Sequence, residues 1–314
     1  MTRPTLSIII VSWNVKELLR ACLDSIQAGQ GELALEVLVV DSGSGDGTAE
    51  MVSAEYPSVR LIACPDNVGF ARGNNLGLAA AQGDYLLLLN PDTRLCDDAL
   101  RVMLDALHSR PDVGLIGPQL LNPDGSHQSS RRRFPTLATF LWESTWLQAY
   151  APRRVMRHYY AQDLPDDAIS AVDWVSGAAM LTRRAVVAQV GGLDEAYFMY
   201  SEELDWCRRI RQAGWRILYL PTARIVHHVG KSSEQAVTTR HIQFNRAKLR
   251  YVRKYHGRAA YFLTRAVIWL NYLWQLGLEA VKWLVGHRRD LRAQRLRAYW
   301  QVLRSGLPAA GAGK

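Results

Sequence analysis

Asp84-Tyr85-Leu86-Leu87-Leu88-Leu89-Asn90-Pro91-Asp92-Thr93-Arg94 is the stretch on which the fold turns. Four leucines in a row are too apolar and too short for anything but a buried strand or a segment of helix core. The run stops at Asn90-Pro91-Asp92-Thr93, where proline ends strand pairing and Asn and Asp favour a turn. A carboxylate therefore stands just past the C-terminal end of an apolar strand, the place where ligands bind in open α/β sheets. Asp92 is then a candidate ligand for a divalent metal over a pyrophosphate. The plain alternative is a strand-to-helix turn, with Asp97 or Asp98 capping the next helix.

Outward from this strand the same alternation repeats. Thr5 to Ser12 is β-branched and reads as a buried strand, Leu35 to Val40 as a second ending at Asp41, and Val59 to Ile62 as a third followed by Asn67-Val68-Gly69-Phe70. Between them, Val15 to Ala28 has apolar residues at helical spacing, and Ala49 to Glu55 and the small-residue segment Ala71 to Ala81 also read as helices. Asp97 to His108 and Val113 to Ile116 continue as helix and strand. This alternation predicts an α/β fold with a Rossmann-like, mainly parallel sheet flanked by helices. In a parallel sheet these strand ends share one edge, so Asn14, Asp41, Asn67 and Asp92 can converge on one cleft.

Past Gly117 the pattern thins. Asn122-Pro123-Asp124-Gly125 is a turn and Arg131-Arg132-Arg133 a basic cluster, but Ser126 to Ala171 carries no interpretable motif. Trp174 to Leu181 reads as one strand with a small-residue centre. Ser201 suits an N-cap for a helix to Ala213 that opens with Glu202, Glu203 and Asp205. Carboxylates in a first turn also have a plain explanation, since the helix dipole favours them. Trp215 to Leu220 and Ala223 to His228 read as two short strands, the second ending in the metal-competent pair His227-His228.

Composition bounds the function. The 314 residues are 48% hydrophobic and 21% charged, enough for a substantial core and too apolar for general disorder. The net charge of +9 is lopsided: from Gly230 onward there are 17 Lys and Arg against three acids, and before it 21 against 26. A mildly acidic body with a basic tail points to an anionic surface. The four cysteines make no C-x-x-C pair and read as thiols in a reducing compartment. No secretory signal is recognisable in the short apolar run Leu6 to Val11. A Gly-x-Gly-x-x-Gly fingerprint, a P-loop and a Gly-x-Ser-x-Gly elbow are all missing, which argues against a dinucleotide dehydrogenase, a P-loop kinase and a serine hydrolase.

Taken together the motifs are recognisable. Ser7 to Asn14, Val39 to Thr48, Asn67 to Gly77, Leu88 to Thr93, Gly177-Ala178, Phe198 to Asp205 and His227 to Ser232 stand in the order of family 2 glycosyltransferases, and the chain most resembles the bacterial rhamnosyltransferase-like branch. The resemblance implies a GT-A fold and inverting, metal-dependent transfer of a sugar, a deoxyhexose such as rhamnose from a dTDP-sugar, to a cell-envelope glycan or polyprenyl-linked acceptor. By position it implies that Asp41 meets the base, with Ser12 and Asn14 nearby, and that Asn67, Gly69 and Asn74 line the loop beside the diphosphate. It makes Asp92 a ligand for Mg²⁺ or Mn²⁺, completed by His227, with Asn90 in place of the first aspartate of the family's D-x-D. Glu203 stands where the family has its catalytic base, with Gly177, Glu202 and Asp205 on the acceptor side. Glu202 and Asp205, three apart on a helix, suit acceptor-hydroxyl or structural hydrogen bonds. A nucleotidyltransferase is the alternative enzyme, but it wants a basic Gly-rich loop where Trp13-Asn14-Val15 stands. A nucleic-acid-binding protein ranks lower, since no binding motif accompanies the basic charge.

The expected domains are a catalytic domain over 1–232, with a nucleotide-sugar half to about 117 and an acceptor half after it, and a basic, Trp-rich helical tail over 233–314. Within the tail, Ala259 to Val285 is aromatic and apolar, yet its longest uncharged span, Ala266 to Leu278, is short of the roughly 20 residues that a crossing needs. An interfacial helix on anionic lipid fits, making the protein peripheral on the cytoplasmic face of the inner membrane. A helix packed on the body or in a homo-oligomer is the plain alternative.

Overall fold

The structure, a computed structural model, describes residues 5–143, 145–228 and 237–311. Of the motif His227 to Ser232, the part after His228 lies outside the described residues. The chain forms two compact units: Met1–Phe134, Tyr160–Glu195 and Glu202–Ser232 make the first, and Pro135–Tyr159, Ala196–Ser201 and Ser233–Lys314 the second.

The first unit is built on a ten-stranded sheet. Its strands are β1 (Leu6–Ser12), β2 (Leu35–Ser42), β3 (Arg60–Cys64), β4 (Tyr85–Leu89), β5 (Thr93–Leu95), β6 (Val113–Leu121), β7 (His127–Gln128), β9 (Ser170–Val172), β11 (Ala179–Arg183) and β12 (Arg216–His227). β8 (Arg131–Arg132) and β10 (Trp174–Val175) pair separately. The order is β3-β2-β1-β4-β11-β6-β12-β5, with β7 beside β6 and β9 beside β12. β3, β2, β1 and β4 run parallel, as expected. The sheet as a whole is mixed rather than mainly parallel: β11 lies antiparallel between β4 and β6, and β5 and β9 run antiparallel on β12.

Two further expectations change with this topology. Trp174 to Leu181 is not one strand, because Ser176 to Ala178 interrupt it and pass the chain from β10 to β11. The two strands expected at residues 215–228 are one, β12. Its pairing with β6 slips between Leu220 and Arg224, so Pro221 sits in an irregularity that removes the need for its missing N–H.

The leucine run explains the layering. In a strand successive side chains leave on opposite faces. Leu87 and Leu89 join one core with Ile8, Ile10 and residues of α1 (Lys16–Gly29), α2 (Thr48–Glu55) and α4 (Ala99–His108). Leu86 and Leu88 join the other with Ile9, α3 (Phe70–Ala80), α7 (Arg184–Val190) and α8 (Glu202–Gln212). All four are at most 2% exposed, each contributing roughly 2 kcal/mol by burial. The small residues of α3 let it lie directly on β1: a Cβ built at Gly77 would stand 2.3 Å from Ile9 Cγ2.

In the second unit, α5 (Leu137–Trp142) is capped by Thr136, α6 (Arg153–Tyr159) follows, and α9 (Val237–Leu284) and α10 (Arg289–Arg304) form a hairpin. Gly257, at φ 87°, breaks α9 into two helices. The second helix buries Tyr261, Ile268 and Tyr272 in a core with Val302 and Leu303 of α10, and beside them Thr264, Asn271 and Glu279, the last paired with Arg292 at 2.8 Å; Phe262, Leu263, Leu270, Leu273, Trp274 and Val281 of the same helix are exposed. Among the described residues no helix is long and apolar enough to cross a membrane.

Gly77→Val is expected to lower the unfolding free energy by about 3 kcal/mol through overpacking of α3 on β1. Urea denaturation checks this, and an unchanged midpoint would mean that the α3–β1 contact is looser than the Ile9 distance implies.

Candidate active site

The edge of the first unit where β1, β2 and β4 end brings together most of the residues singled out in the sequence. Ser12 is in register with Asp41, at the ends of β1 and β2. Asn14 follows with φ 53°, a left-handed conformation that asparagine tolerates. Its Oδ1 accepts from Gly45 N at 2.8 Å and its N–H donates to Ser44 Oγ at 2.9 Å, while Ser44 N donates to Asp41 Oδ2 at 3.1 Å. Asn67 Oδ1 accepts from Gly69 N at 3.0 Å and from Ser42 Oγ at 3.2 Å. Gly69, at φ 79°, turns the chain into α3. Asn74 is placed differently from its neighbours: it is buried within α3, and its Nδ2 donates to Phe70 O at 2.9 Å.

Next along the edge, β4 delivers Asn90, Pro91 and Asp92, and the chain turns straight into β5 rather than into a helix. β5 pairs with β12, His227 opposite Thr93, so residues 134 positions apart in sequence become neighbours. Asp92 and His227 are both buried, with Asp92 Oδ1 3.3 Å from His227 Nε2. The far nitrogen, Nδ1, donates to Gln128 Oε1 at 2.7 Å. The Gln128 amide is itself fixed, because its Nε2 donates to Asn122 Oδ1 and to the His227 carbonyl. The Nε2 atom thus faces the Asp92 carboxylate, and an imidazole nitrogen and a carboxylate oxygen side by side are both competent ligands for a divalent ion. Asn90 Nδ2 lies 3.4 Å from the same nitrogen, and Asn90 Oδ1 is buried without a hydrogen-bond partner. These groups fit a divalent ion, although no three His, Cys, Asp or Glu side chains converge on one point among the described residues. One carboxylate and one imidazole leave the remaining positions around such an ion open to water or phosphate oxygens. His228 adds only its backbone N–H, donated to Asp92 O at 2.9 Å.

The acids of α8 reach the edge through β11. Asn90 N donates to Ala178 O at 2.9 Å, and a Cβ at Gly177 would stand 3.5 Å from Glu203 Cβ, so Gly177 is the floor on which Glu203 lies. Ser201 precedes α8 at φ 64°, a left-handed conformation rather than the extended one usual for an N-cap. Glu202 is 4% exposed and its Oε2 has no partner. Burial first, and the neighbouring Glu203 second, push the Glu202 carboxyl well above the usual carboxylate range. Asp205 turns inward: it is fully buried and bonds Arg209 at 2.9 Å, and Arg209 ties Val190 O and Gly192 O to the helix.

Gln128 is the site residue that sequence reasoning passed over. Its only local signal is that it follows the Asn122 to Gly125 turn by three residues, where a hairpin return strand is expected.

Residues 4–258 match the family described as "Glycosyltransferase like family 2". The chain is 34% identical, over 213 residues, to an N-acetylglucosaminyl-diphospho-decaprenol L-rhamnosyltransferase of Mycobacterium tuberculosis, covering 64% of this chain and 69% of that protein. It is 26% identical over 231 residues to rhamnosyltransferase WbbL of Escherichia coli, covering 70% of this chain and 82% of that one. A mannosyltransferase from Pyrobaculum calidifontis, solved in complex with GDP-Man and Mn²⁺, superposes with a TM-score of 0.54 at 20% identity, over 100% of this chain and 77% of that chain. A likeness at that identity speaks for the fold, an α/β GT-A-like arrangement around a mixed sheet.

The raised Glu202 carboxyl gives a pH signature. The folded protein holds a proton that the unfolded chain releases, so this residue's contribution to stability falls as pH rises from the ordinary glutamate pKa toward the raised one. Glu202→Gln is expected to flatten the decline by up to about 1.4 kcal/mol per pH unit. Urea unfolding between pH 5 and 8 reads the slope, and identical slopes in the two proteins would refute it.

Proposed function

Because this chain belongs to glycosyltransferase family 2, in its rhamnosyltransferase-like branch, we propose that it is an inverting, metal-dependent transferase. Its donor would be a nucleoside diphosphate sugar, a deoxyhexose such as rhamnose on dTDP, and its acceptor a cell-envelope glycan or polyprenyl-linked saccharide. The observation that carries this reading is the buried Asp92–His227 pair at 3.3 Å, on the same edge as the unpartnered buried atoms Ser12 Oγ, Asp41 Oδ1, Asn90 Oδ1 and Glu202 Oε2. Buried polar atoms without partners are rare in folded proteins, and a row of them along a strand edge fits a polar ligand.

On this reading Asp41 Oδ1 accepts from the base and Ser12 Oγ bonds the nucleoside, while the Asn67–Gly69 turn faces the diphosphate. Asp92 and His227 would hold Mg²⁺ or Mn²⁺, which when bound offsets the negative charge that grows on the leaving diphosphate. Gln128 keeps His227 Nε2 aimed at that position. Glu203 takes the proton of the acceptor hydroxyl as its oxygen bonds the anomeric carbon and the bond from that carbon to the phosphate oxygen breaks on the opposite face. Glu202 holds its proton beside Glu203, so that one carboxyl can donate a hydrogen bond while the other accepts a proton. The outward apolar face of the second helix of α9 would lie at the surface of a membrane, with Lys282, Arg288 and Arg289 at its end meeting anionic headgroups. The protein would thus be peripheral on the cytoplasmic face, where a lipid-linked acceptor is presented.

Titration with dTDP-, UDP- and GDP-sugars, with and without Mn²⁺, is expected to show metal-strengthened binding of one of them; no binding by any would end the proposal. Glu203→Gln should bind donor normally and lose about 10²–10⁴-fold in turnover. Gln128→Leu should weaken Mn²⁺ binding by about 10–100-fold, read by metal titration without turnover.

Flotation with vesicles containing phosphatidylglycerol is expected to carry the wild-type protein. A Leu270→Glu, Trp274→Glu, Val281→Glu variant should stay behind. Equal flotation of both proteins would show that this face does not meet lipid.

A further inference from the structure

In the first unit, the described buried polar side-chain atoms that lack a partner lie along the edge above, with one exception, Arg131. Arg131 belongs to a second place. His127 and Gln128 are consecutive in β7, so their side chains leave on opposite faces. Gln128 goes to His227, whereas His127 faces a cavity of about 380 Å³ that Ser129, Arg131, Tyr160, Gln162 and Asp166 also line.

Arg131 is only 4% exposed. Its Nη2 donates to Leu164 O at 2.6 Å and pairs with an Asp166 oxygen at 2.8 Å, and its plane lies over the Tyr219 ring at 4.6 Å. That leaves N–H groups on Nε and Nη1 unsatisfied. The Asp166 carboxylate is largely exposed and keeps acceptor capacity, and His127 Nε2 lies 3.3 Å from the Tyr219 hydroxyl.

Charge decides what such a cavity takes. Arg131 and Asp166 cancel. An anion would meet the Asp166 carboxylate and a metal ion would meet the guanidinium. A neutral polyol uses both, because each hydroxyl accepts from one group and donates to the other. Buried N–H donors, an open carboxylate, an amide, a hydroxyl and a tyrosine ring around a hexose-sized space are the recognition set for a sugar ring.

We propose that this cavity is a saccharide subsite, separate from the donor edge, that holds one neutral sugar ring of the acceptor glycan through Arg131 and Asp166. That the ring belongs to an acceptor rests on the glycosyltransferase reading; the binding chemistry does not. β7 joins the two places, with one residue facing each, so a ring seated here is held in fixed relation to His227.

The test is a titration of the full chain, followed by NMR, with the methyl glycosides of rhamnose, N-acetylglucosamine, galactose and glucose, and with inorganic phosphate as the anion probe. At least one glycoside is expected to bind, undiminished by saturating dTDP or UDP. Gln162→Ala, at an exposed position, and Ser129→Trp, which fills the cavity, should each weaken it by about tenfold while nucleotide affinity stays unchanged. Arg131→Lys, which keeps the charge and loses the fork, should do the same, with thermal unfolding as the check on its fold. Binding of phosphate in place of a glycoside, competition by nucleotide, no glycoside binding at all, or indifference to all three variants would each overturn the subsite. Failure of the donor titration with glycoside binding intact would instead remove the transferase reading and leave the subsite standing.

Discussion

The constraint on which the rest depends is that β4 is buried on both faces. A strand of that kind must be apolar throughout, and Leu86 to Leu89 send two side chains into each of two cores. It must also be flanked on both sides, by β1 parallel and by β11 antiparallel. With interior, neighbours and faces all committed, polar chemistry can begin only where the strand ends. Asn90 and Asp92 stand at that point. β11 begins beside them, which lets Ala178 O fix Asn90 N and lets Gly177 seat Glu203. One buried strand thereby aligns the carboxylate of one loop with the acids of a helix more than 100 residues away.

What could be read in advance follows from whether a signal is local. The parallel half, β3-β2-β1-β4, was legible because each strand carries its own apolar run and its own polar terminus. Asn14, Asp41, Asn67 and Asp92 could be placed on one edge for the same reason. The antiparallel course of β11 was not legible, since strand direction depends on where the chain returns from and residues 118–178 carry little periodicity. β12 was split in two because Pro221 ordinarily ends a strand; here a register slip absorbs it. The role of Gln128 depends on a partner 99 positions away, and nothing in the flanking residues announces it. Arg131 reads in sequence only as one member of the basic cluster Arg131-Arg132-Arg133, and its burial sets it apart. Asn74 shows the converse: a residue in a recognisable motif spends its amide on its own helix.

The second unit follows a different physical rule from the first. Its second helix of α9 turns Thr264, Asn271 and Glu279 inward, and the inward carboxylate is matched by Arg292. The same hairpin buries Tyr261, Ile268, Tyr272, Val302 and Leu303, so the exposed Leu270, Trp274 and Val281 are a second apolar row left in water, and the balance improves when that row meets an apolar medium. Sequence periodicity alone reports that two faces differ; only the packing reveals which one is outside.

Asn90 in place of an aspartate has an electrostatic consequence for the proposed metal. The protein groups facing that position carry one formal negative charge, from Asp92, because His227, Asn90 and Gln128 bring dipoles and no charge. A divalent ion held there keeps about one unit of positive charge, undiminished by a second carboxylate and little screened in a buried site. That surplus favours a further anionic ligand, and the diphosphate of a nucleotide-sugar supplies one with oxygens suited to the open positions. A site built this way would hold metal weakly alone and firmly with donor, so that affinity for the ion and affinity for the donor would become one linked quantity. On the proposed reading, the neutral side chain at position 90 would move part of the metal site from the protein to its substrate.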